Sequence, residues 1–302
     1  MDLQTLYGVQ KETVQQFMAK WYRPARMVVG GLGLDHDRLV EQCHKLYGHL
    51  EKDLEPVNTT SDLTTPYYSP PPNSPYVGGS LILEDDRASK IGKELPGNFQ
   101  CFSAVFVGFS GPSLFCGRGY YIASILATLL GSGSTFSSGG PGKGMYSRIY
   151  RNILCNGYVQ HGQNIYSAHS DGGIFGLLLT GDPRYLSNLQ ELAVVGLLDL
   201  RDITDEEFER AKNQLMSAVC TNLESTYPTL DDLLRQVPGY NARYDYDYHV
   251  EVIRSIGKDE ALALVDTMLR TPPSVITYGS PNARQVPYEA MQQYVTAQMT
   301  SK

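Results

Sequence analysis

The sequence predicts an α+β domain over residues 77–302, and three observations carry that reading. Two strand-like runs, Asn164–His169 and Ile174–Thr180, flank an Asp171-Gly172 dipeptide of the kind that turns a tight hairpin. Several segments repeat apolar residues at helical spacing. A stretch rich in proline, Glu55–Tyr76, separates this region from what precedes it. With 302 residues, 42% of them hydrophobic and 19% charged, the chain has material for a sizeable core, and at roughly 150 residues per domain it predicts about two units.

Taken in order, Thr13–Tyr22 reads as the end of a helix stopped by Pro24, and Arg26–Val29 as a strand. From Asp35, placed as an N-cap, Leu39, Val40, Cys43, Leu46, Tyr47 and Leu50 fall on one helical face. One strand and two helices have no second layer to bury their apolar sides, so residues 1–54 are expected to belong to something larger. Residues 55–76, with Pro56, Pro66, Pro70, Pro71, Pro72 and Pro75, form an extended linker. Beyond it, Gly79–Glu84 and Cys101–Phe109 suit strands, while Gly119–Leu130 and Met145–Cys155 suit helices, the latter with Ile149, Ile153 and Leu154 on one side. Tyr185–Leu198 is helical. Thr204 and Glu207 have the spacing of a capping box opening a long helix to Ser225, with Pro228 expected to end it. Helices over Thr229–Gln236, Asp245–Ile256 and Lys258–Leu269 and a strand over Ser274–Tyr278 complete the domain.

Composition narrows the function. Twenty-five Lys and Arg against 32 Asp and Glu leave a charge of −7, which disfavours nucleic acid and anionic membranes and favours basic ligands. Cys43, Cys101, Cys116, Cys155 and Cys220 are odd in number and contain no C-x-x-C pair, so they read as buried free thiols. No apolar run nears the roughly 20 residues that span a bilayer. Residues 1–22 have the pattern of neither a transit peptide nor a signal sequence.

One stretch is anomalous. Residues 131–144, Gly131-Ser132-Gly133-Ser134-Thr135-Phe136-Ser137-Ser138-Gly139-Gly140-Pro141-Gly142-Lys143-Gly144, hold six glycines between two helical patterns. Freezing so many glycines is entropically costly, so the segment is expected to be pliant or to admit close approach of another backbone. A plain linker has similar composition, although Phe136, Pro141 and Lys143 are not linker filler. A P-loop would need glycine at Ser137 and Ser or Thr at Gly144, and a dinucleotide fingerprint starting at Gly131 fails at Phe136 and follows a helix where it should follow a strand.

The run from Gly131 to Tyr150, ending in GGPGKGMYSRIY, closely resembles the glycine-rich loop and following helix of the mitochondrial processing peptidase alpha subunits, in the pitrilysin/insulinase superfamily. Arg26–His36 (RMVVGGLGLDH), Tyr76–Ser80 (YVGGS), Asp171–Gly176 (DGGIFG) and Arg210–Glu224 (RAKNQLMSAVCTNLE) are similar to the same subunits in the same order. The resemblance implies a pitrilysin/insulinase-type domain with a mixed, largely antiparallel sheet and helices packed on it. It assigns residues 1–54 to the C-terminal part of a first peptidase-like domain, 55–76 to the linker and 77–302 to a second, inactive one.

The implied function is that of a non-catalytic, substrate-recognition subunit. A zinc-bearing beta subunit would cleave N-terminal presequences of imported precursors, held by the glycine-rich loop through Gly131, Gly133, Ser134, Phe136, Ser138, Gly139, Gly140, Pro141, Gly142, Lys143 and Gly144. No cofactor is expected in this chain, and the implied location is the mitochondrial matrix or the matrix face of the inner membrane. A structural core subunit of the respiratory cytochrome bc complex, or a non-functional truncated product, is the alternative.

The residues agree with a non-catalytic reading. Zinc hydrolysis in the superfamily this chain resembles needs two imidazoles stacked on one helical face beside a carboxylate. His44 and His49 are five apart, about 140° around a helix, and none of the six histidines has ligand spacing. Phe136 suits either an apolar presequence side chain or packing beneath the loop. Lys143 would repel presequence arginines and suits a carbonyl, an acidic partner group or solvent. Asp199, Asp202, Asp205, Glu206, Glu207 and Glu209 crowd one helix start, where carboxylates favour the macrodipole, with attraction of a basic presequence as the minority reading.

Overall fold

The computed structural model describes residues 8–22, 24, 27–50, 75–84, 101–134, 146–169, 171–240, 242–279 and 285–300. The chain divides into two compact units, Met1–Pro70 with Cys220–Asp245, and Pro71–Val219 with Tyr246–Lys302.

In the first unit, α1 (Lys11–Trp21) is followed by α2 (His36–Tyr47), which Asp35 caps as expected by accepting the Arg38 amide at 2.9 Å. The strand expected over Arg26–Val29 does not form among the described residues. Pro24 turns the chain, and its carbonyl accepts the Met27 amide at 3.1 Å. A cavity of about 480 Å³ is lined by Gly31, His36, Leu39, Cys43, His44 and Leu233, among others. The long helix of the sequence reading closes at Leu223, and Pro228 lies in the first turn of the next helix, α6 (Thr226–Tyr240), where a missing N–H breaks no bond. Gln236, 5% exposed, ties the end of α6 to the following chain: it donates to Asp232 at 2.7 Å and its oxygen accepts the Tyr244 amide at 2.6 Å.

The second unit is built on a six-stranded sheet in the order β1-β6-β2-β5-β4-β3. The strands are β1 (Gly79–Glu84), β2 (Ser103–Gly111), β3 (Ser132–Ser134), β4 (Val159–Ala168), β5 (Gly173–Gly181) and β6 (Ser274–Gly279). Only β1 and β6 run parallel, so the sheet is mixed and largely antiparallel, as expected. Alternation sorts the side chains. Val105, Val107 and Phe109 of β2 and Phe175, Leu177 and Leu179 of β5 are buried in the core with Leu126 and Leu130 of α3 (Arg118–Leu130) and Leu189 of α4 (Leu186–Leu198). On the opposite face the register sets Leu81, Ile276, Phe106 and Leu178 side by side across four strands. The Phe106 ring lies over Gly108 and Gly176, where an added Cβ would come within 2.5 Å and 2.9 Å of it.

The hairpin is longer than predicted. β4 begins at Val159, and its last pair with β5 is Ala168↔Gly173, which leaves four linking residues. The His169 amide donates to the Gly172 carbonyl at 2.7 Å, and Gly172 is not among the positive-φ glycines, so the expected tight turn with positive angles at Asp171-Gly172 is replaced by a wider one. The helix expected over Met145–Cys155 is a single π turn, Ile149–Ile153, in which the Leu154 amide reaches the Ile149 carbonyl at 2.8 Å. Asn156 ends it by donating its side-chain amide to the carbonyls of Ile153 and Asn152. The predicted apolar trio is nonetheless buried.

Among the described residues, helices α5 (Asp205–Leu223), α7 (Tyr246–Ser255), α8 (Lys258–Leu269) and α9 (Tyr288–Thr300) follow, α9 being unforeseen. Arg118 forks onto Glu260 at 2.9 and 2.7 Å and donates to Ser255, joining the start of α3 to the turn between α7 and α8. The Arg118 guanidinium and the Gly257 amide hold the Glu260 carboxyl down at about 2. The cysteines correct another expectation: none is buried, with Cys116 and Cys155 exposed beside turns and Cys43, Cys101 and Cys220 intermediate. All five are free thiols.

Candidate functional site

The glycine-rich segment begins at the end of α3, and the described chain resumes at Tyr146, shortly before the π turn. Ser132 to Ser134 form β3, paired antiparallel with β4 in the register Ser132↔Gln163, Gly133↔Gly162 and Ser134↔His161. Gly131, at the C-terminus of α3, has φ 72°, the left-handed region that glycine enters without a Cβ penalty. Its carbonyl accepts from the Asn164 backbone at 3.2 Å and from the Asn164 side chain at 2.7 Å. A Cβ on Gly131 would lie 2.4 Å from Cβ of Ser147, so the departing and returning strands of chain touch at this point. Of the predicted site residues, Gly131, Gly133 and Ser134 are thus part of the neck and of the sheet's edge strand. Phe136, Ser138, Gly139, Gly140, Pro141, Gly142, Lys143 and Gly144 lie outside the described residues.

The returning side is held by side chains. The Arg148 guanidinium, 9% exposed, donates to the carbonyls of Asp199 and Asp202 and to Glu207 at 2.7 Å, while its buried Nε finds no acceptor among the described residues. Glu207, 12% exposed, also accepts from Arg151 at 3.4 Å. It completes the predicted capping box, accepting the Thr204 amide at 3.3 Å while its own amide donates to Thr204 Oγ1 at 3.2 Å. One turn on, Arg210 lies 5.6 Å over the Tyr146 ring and donates to the Tyr146 carbonyl at 3.4 Å. Glu207 and Arg210 are three apart, and so share a face of α5.

Burial acts on the carboxyls of Asp199 and Glu207 with opposite outcomes. At Asp199 burial prevails over the opposing charge of Arg148. At Glu207 burial is outweighed by the hydrogen bond and charge of Arg148, with help from Thr204 and Arg151, and the group titrates below its ordinary 4.5. Ionised Glu207 therefore contributes stability that is complete above 4.5 and is lost as the pH falls through the lower folded value. Glu207→Gln is expected to unfold about 2 kcal/mol more easily at neutral pH. Its deficit against the parent should shrink as thermal melts are taken below pH 4.5. A deficit unchanged by acid would remove the ion pair from the account.

Three of the acidic residues around this helix start have charged partners. Glu207 holds Arg148, Asp205 pairs with Lys258, and Glu209 with Lys212. Lys212, 6% exposed, also donates to the carbonyls of Arg254 and Ile256 at 3.0 Å each, closing the end of α7. Sequence reasoning missed Arg148, Asn164 and Arg210. Nothing local indicates their partners, which lie 33 residues away for Asn164, 51 to 59 for Arg148 and 64 for Arg210.

Among the described residues, no group of three or more His, Cys, Asp or Glu could hold a metal ion, and no helix is long and apolar enough to cross a membrane. Residues 8–215 match the family described as Peptidase M16 inactive domain. The chain belongs to the peptidase M16 family. Similar curated proteins include the mitochondrial-processing peptidase subunit alpha of Caenorhabditis elegans, 31% identical over 277 residues, covering 88% of this chain and 51% of the relative. The human subunit alpha is 28% identical over 277 residues, covering 90% of this chain and 50% of the relative. A probable subunit alpha of Schizosaccharomyces pombe is 32% identical over 244 residues, covering 78% and 44%. This M16 chain spans about half the length of these relatives. Among solved structures, a chain of complex III2 from Candida albicans, Inz-5 bound, aligns with a TM-score of 0.66 at 16% identity, over 87% of this chain and 56% of that one, a likeness of fold.

Proposed function

We propose that this M16 chain acts as a non-catalytic, substrate-recognition alpha subunit of a mitochondrial presequence peptidase. Its glycine-rich segment holds the presequence while a zinc-bearing beta partner cleaves it. The observation that carries the reading is that the described ends of the glycine-rich run, a left-handed glycine with an edge strand on one side and Ser147 on the other, meet in a chain similar along most of its length to alpha subunits. A segment rich in unhindered amides and carbonyls engages an extended peptide through its backbone and tolerates varied sequences. The charge of −7 favours a basic client. In this reading residues 1–54 end a first peptidase-like domain, 55–76 link, and 77–302 form the inactive second domain. The location is the mitochondrial matrix or the matrix face of the inner membrane.

The test replaces residues 135–145 by an equally long Ser/Ala run in the full chain. The probe is a fluorescein-labelled peptide of about 20 residues, built from Leu, Ala, Ser and Arg with its arginines on one helical face. Binding should weaken by at least about tenfold, with the thermal midpoint of the scaffold unchanged. Equal affinity for the two chains would sink the reading.

A further inference from the structure

We infer that two copies of this chain associate through the outer edge of β1, in an antiparallel pairing with its two-fold axis at Ile82 that joins their sheets into one. β1 stands at one end of the strand order, and among the described residues no strand pairs with its outer side. Leu81, Ile82 and Leu83 are 52%, 55% and 46% exposed, so both faces of the strand are open as well as its edge. Soluble proteins blunt such an edge with proline, lysine or a bulge, and Gly79–Glu84 has none of the three. An unguarded apolar edge is a template for another strand.

The strand supplies its own match. The Gly79 amide donates to the Pro273 carbonyl at 3.0 Å, toward β6, and a parallel ladder alternates, so Leu81 and Leu83 also bond toward β6. Ser80, Ile82 and Glu84 therefore point their N–H and C=O groups outward. Antiparallel pairing about Ile82 sets outward residues against outward residues: Ile82 meets Ile82 of the second copy, and Ser80 of each copy meets Glu84 of the other. Three hydrogen-bonded pairs result, each exchanging two main-chain bonds. The side chains agree with that register. Leu81 of each copy falls opposite Leu83 of the other in the closer, non-hydrogen-bonded pairs, which extends the row of Leu81, Ile276, Phe106 and Leu178. Each Glu84 carboxylate faces a serine hydroxyl and stands about 13 Å along the strand from its own counterpart, beyond a Debye length. An axis at Leu81 or Leu83 leaves part of Ser80–Glu84 without a strand partner, so Ile82 is the centre that uses all five residues. β3, where the glycine-rich run begins, is at the other end of the sheet, so this contact does not rest on the function proposed above.

A short strand on each side falls below the roughly 1,200 Å² of a standard interface, so association should be reversible, with a dissociation constant on the order of 10 µM. Sedimentation velocity of the full chain from about 1 to about 200 µM should show monomer passing to dimer and stopping there, because a two-fold contact closes on itself. Ile82→Pro removes an outward N–H and no bond to β6. Its thermal midpoint should stay within about 5 °C of the parent's, while its dimer dissociates at least about tenfold more readily. Leu81→Lys should weaken association to a similar extent, since its ammonium meets Leu83 of the second copy. The double variant Leu81→Lys/Leu83→Glu should regain most of that loss, because each lysine then faces a glutamate across the axis. A parent that stays monomeric at about 200 µM, one that grows into an open series of larger species, or an Ile82→Pro chain that dimerises as well as the parent would each overturn the inference. So would a double variant that associates no better than Leu81→Lys.

Discussion

Arg148→Ala is expected to lower the unfolding free energy by about 3–5 kcal/mol, the cost of breaking a buried ion pair from one side. The loss has two parts. Glu207 keeps its charge in a site where it is 12% exposed, with only the half-exposed Arg151 at 3.4 Å to balance it. The carbonyls of Asp199 and Asp202 each lose a donor, the first keeping the Asp202 amide at 3.0 Å. Arg148→Lys should recover part of the difference, because an ammonium answers the charge but cannot fork onto two carbonyls and a carboxylate together. Urea unfolding of the three chains measures it. A loss for Arg148→Ala of under about 1 kcal/mol, the range of surface pairs, would show that water replaces the guanidinium and that the neck is not built on it.

Gly131→Ala should cost at least about 2 kcal/mol, since an L-residue is held in the left-handed region and its methyl group is also driven into Ser147. The added Cβ would stand 2.4 Å from the Ser147 Cβ and 2.8 Å from its hydroxyl, so the two sides of the neck must part for it to fit. Gly133 gives the comparison. It has no positive φ, and its added Cβ would meet only the tip of Leu154 at 3.2 Å, which a rotamer change relieves. Denaturation midpoints should therefore place Gly133→Ala close to the parent and Gly131→Ala far below it. Equal shifts would mean that the neck gives way without resistance.

Much of the fold was legible because its signals are local. Short strand-like runs located β2 and β5, and the Thr204/Glu207 spacing located the start of α5, where the predicted cap forms in both directions. The errors came where tertiary partners overrode local preference. Residues 145–155 carry a helical pattern, but the pinned Arg148 and the Asn156 cap restrict it to one π turn. Ser132–Ser134 has no strand propensity and becomes a strand because β4 offers an edge beside it. At the candidate site the glycine-rich composition was plain, whereas the clamp was not, since Arg148 and Glu207 are 59 positions apart and each also fits a surface role. The acidic cluster was read as serving the helix start, and Glu207 serves both that start and the neck.

The order of the strands also constrains how the sheet is made. β1 is the first strand of the sheet in the chain, yet its described neighbour is β6, with Gly79 opposite Ser274, a separation of 195 residues (274 − 79). The β4–β5 hairpin needs only adjacent chain and can close early, while the β1–β6 ladder must wait for nearly everything between them. A ribosome making this protein therefore releases Leu81, Ile82 and Leu83, each still about half exposed in the finished fold, long before their partner strand exists. Through that interval they form an apolar, unpaired segment of the kind that invites wrong pairing.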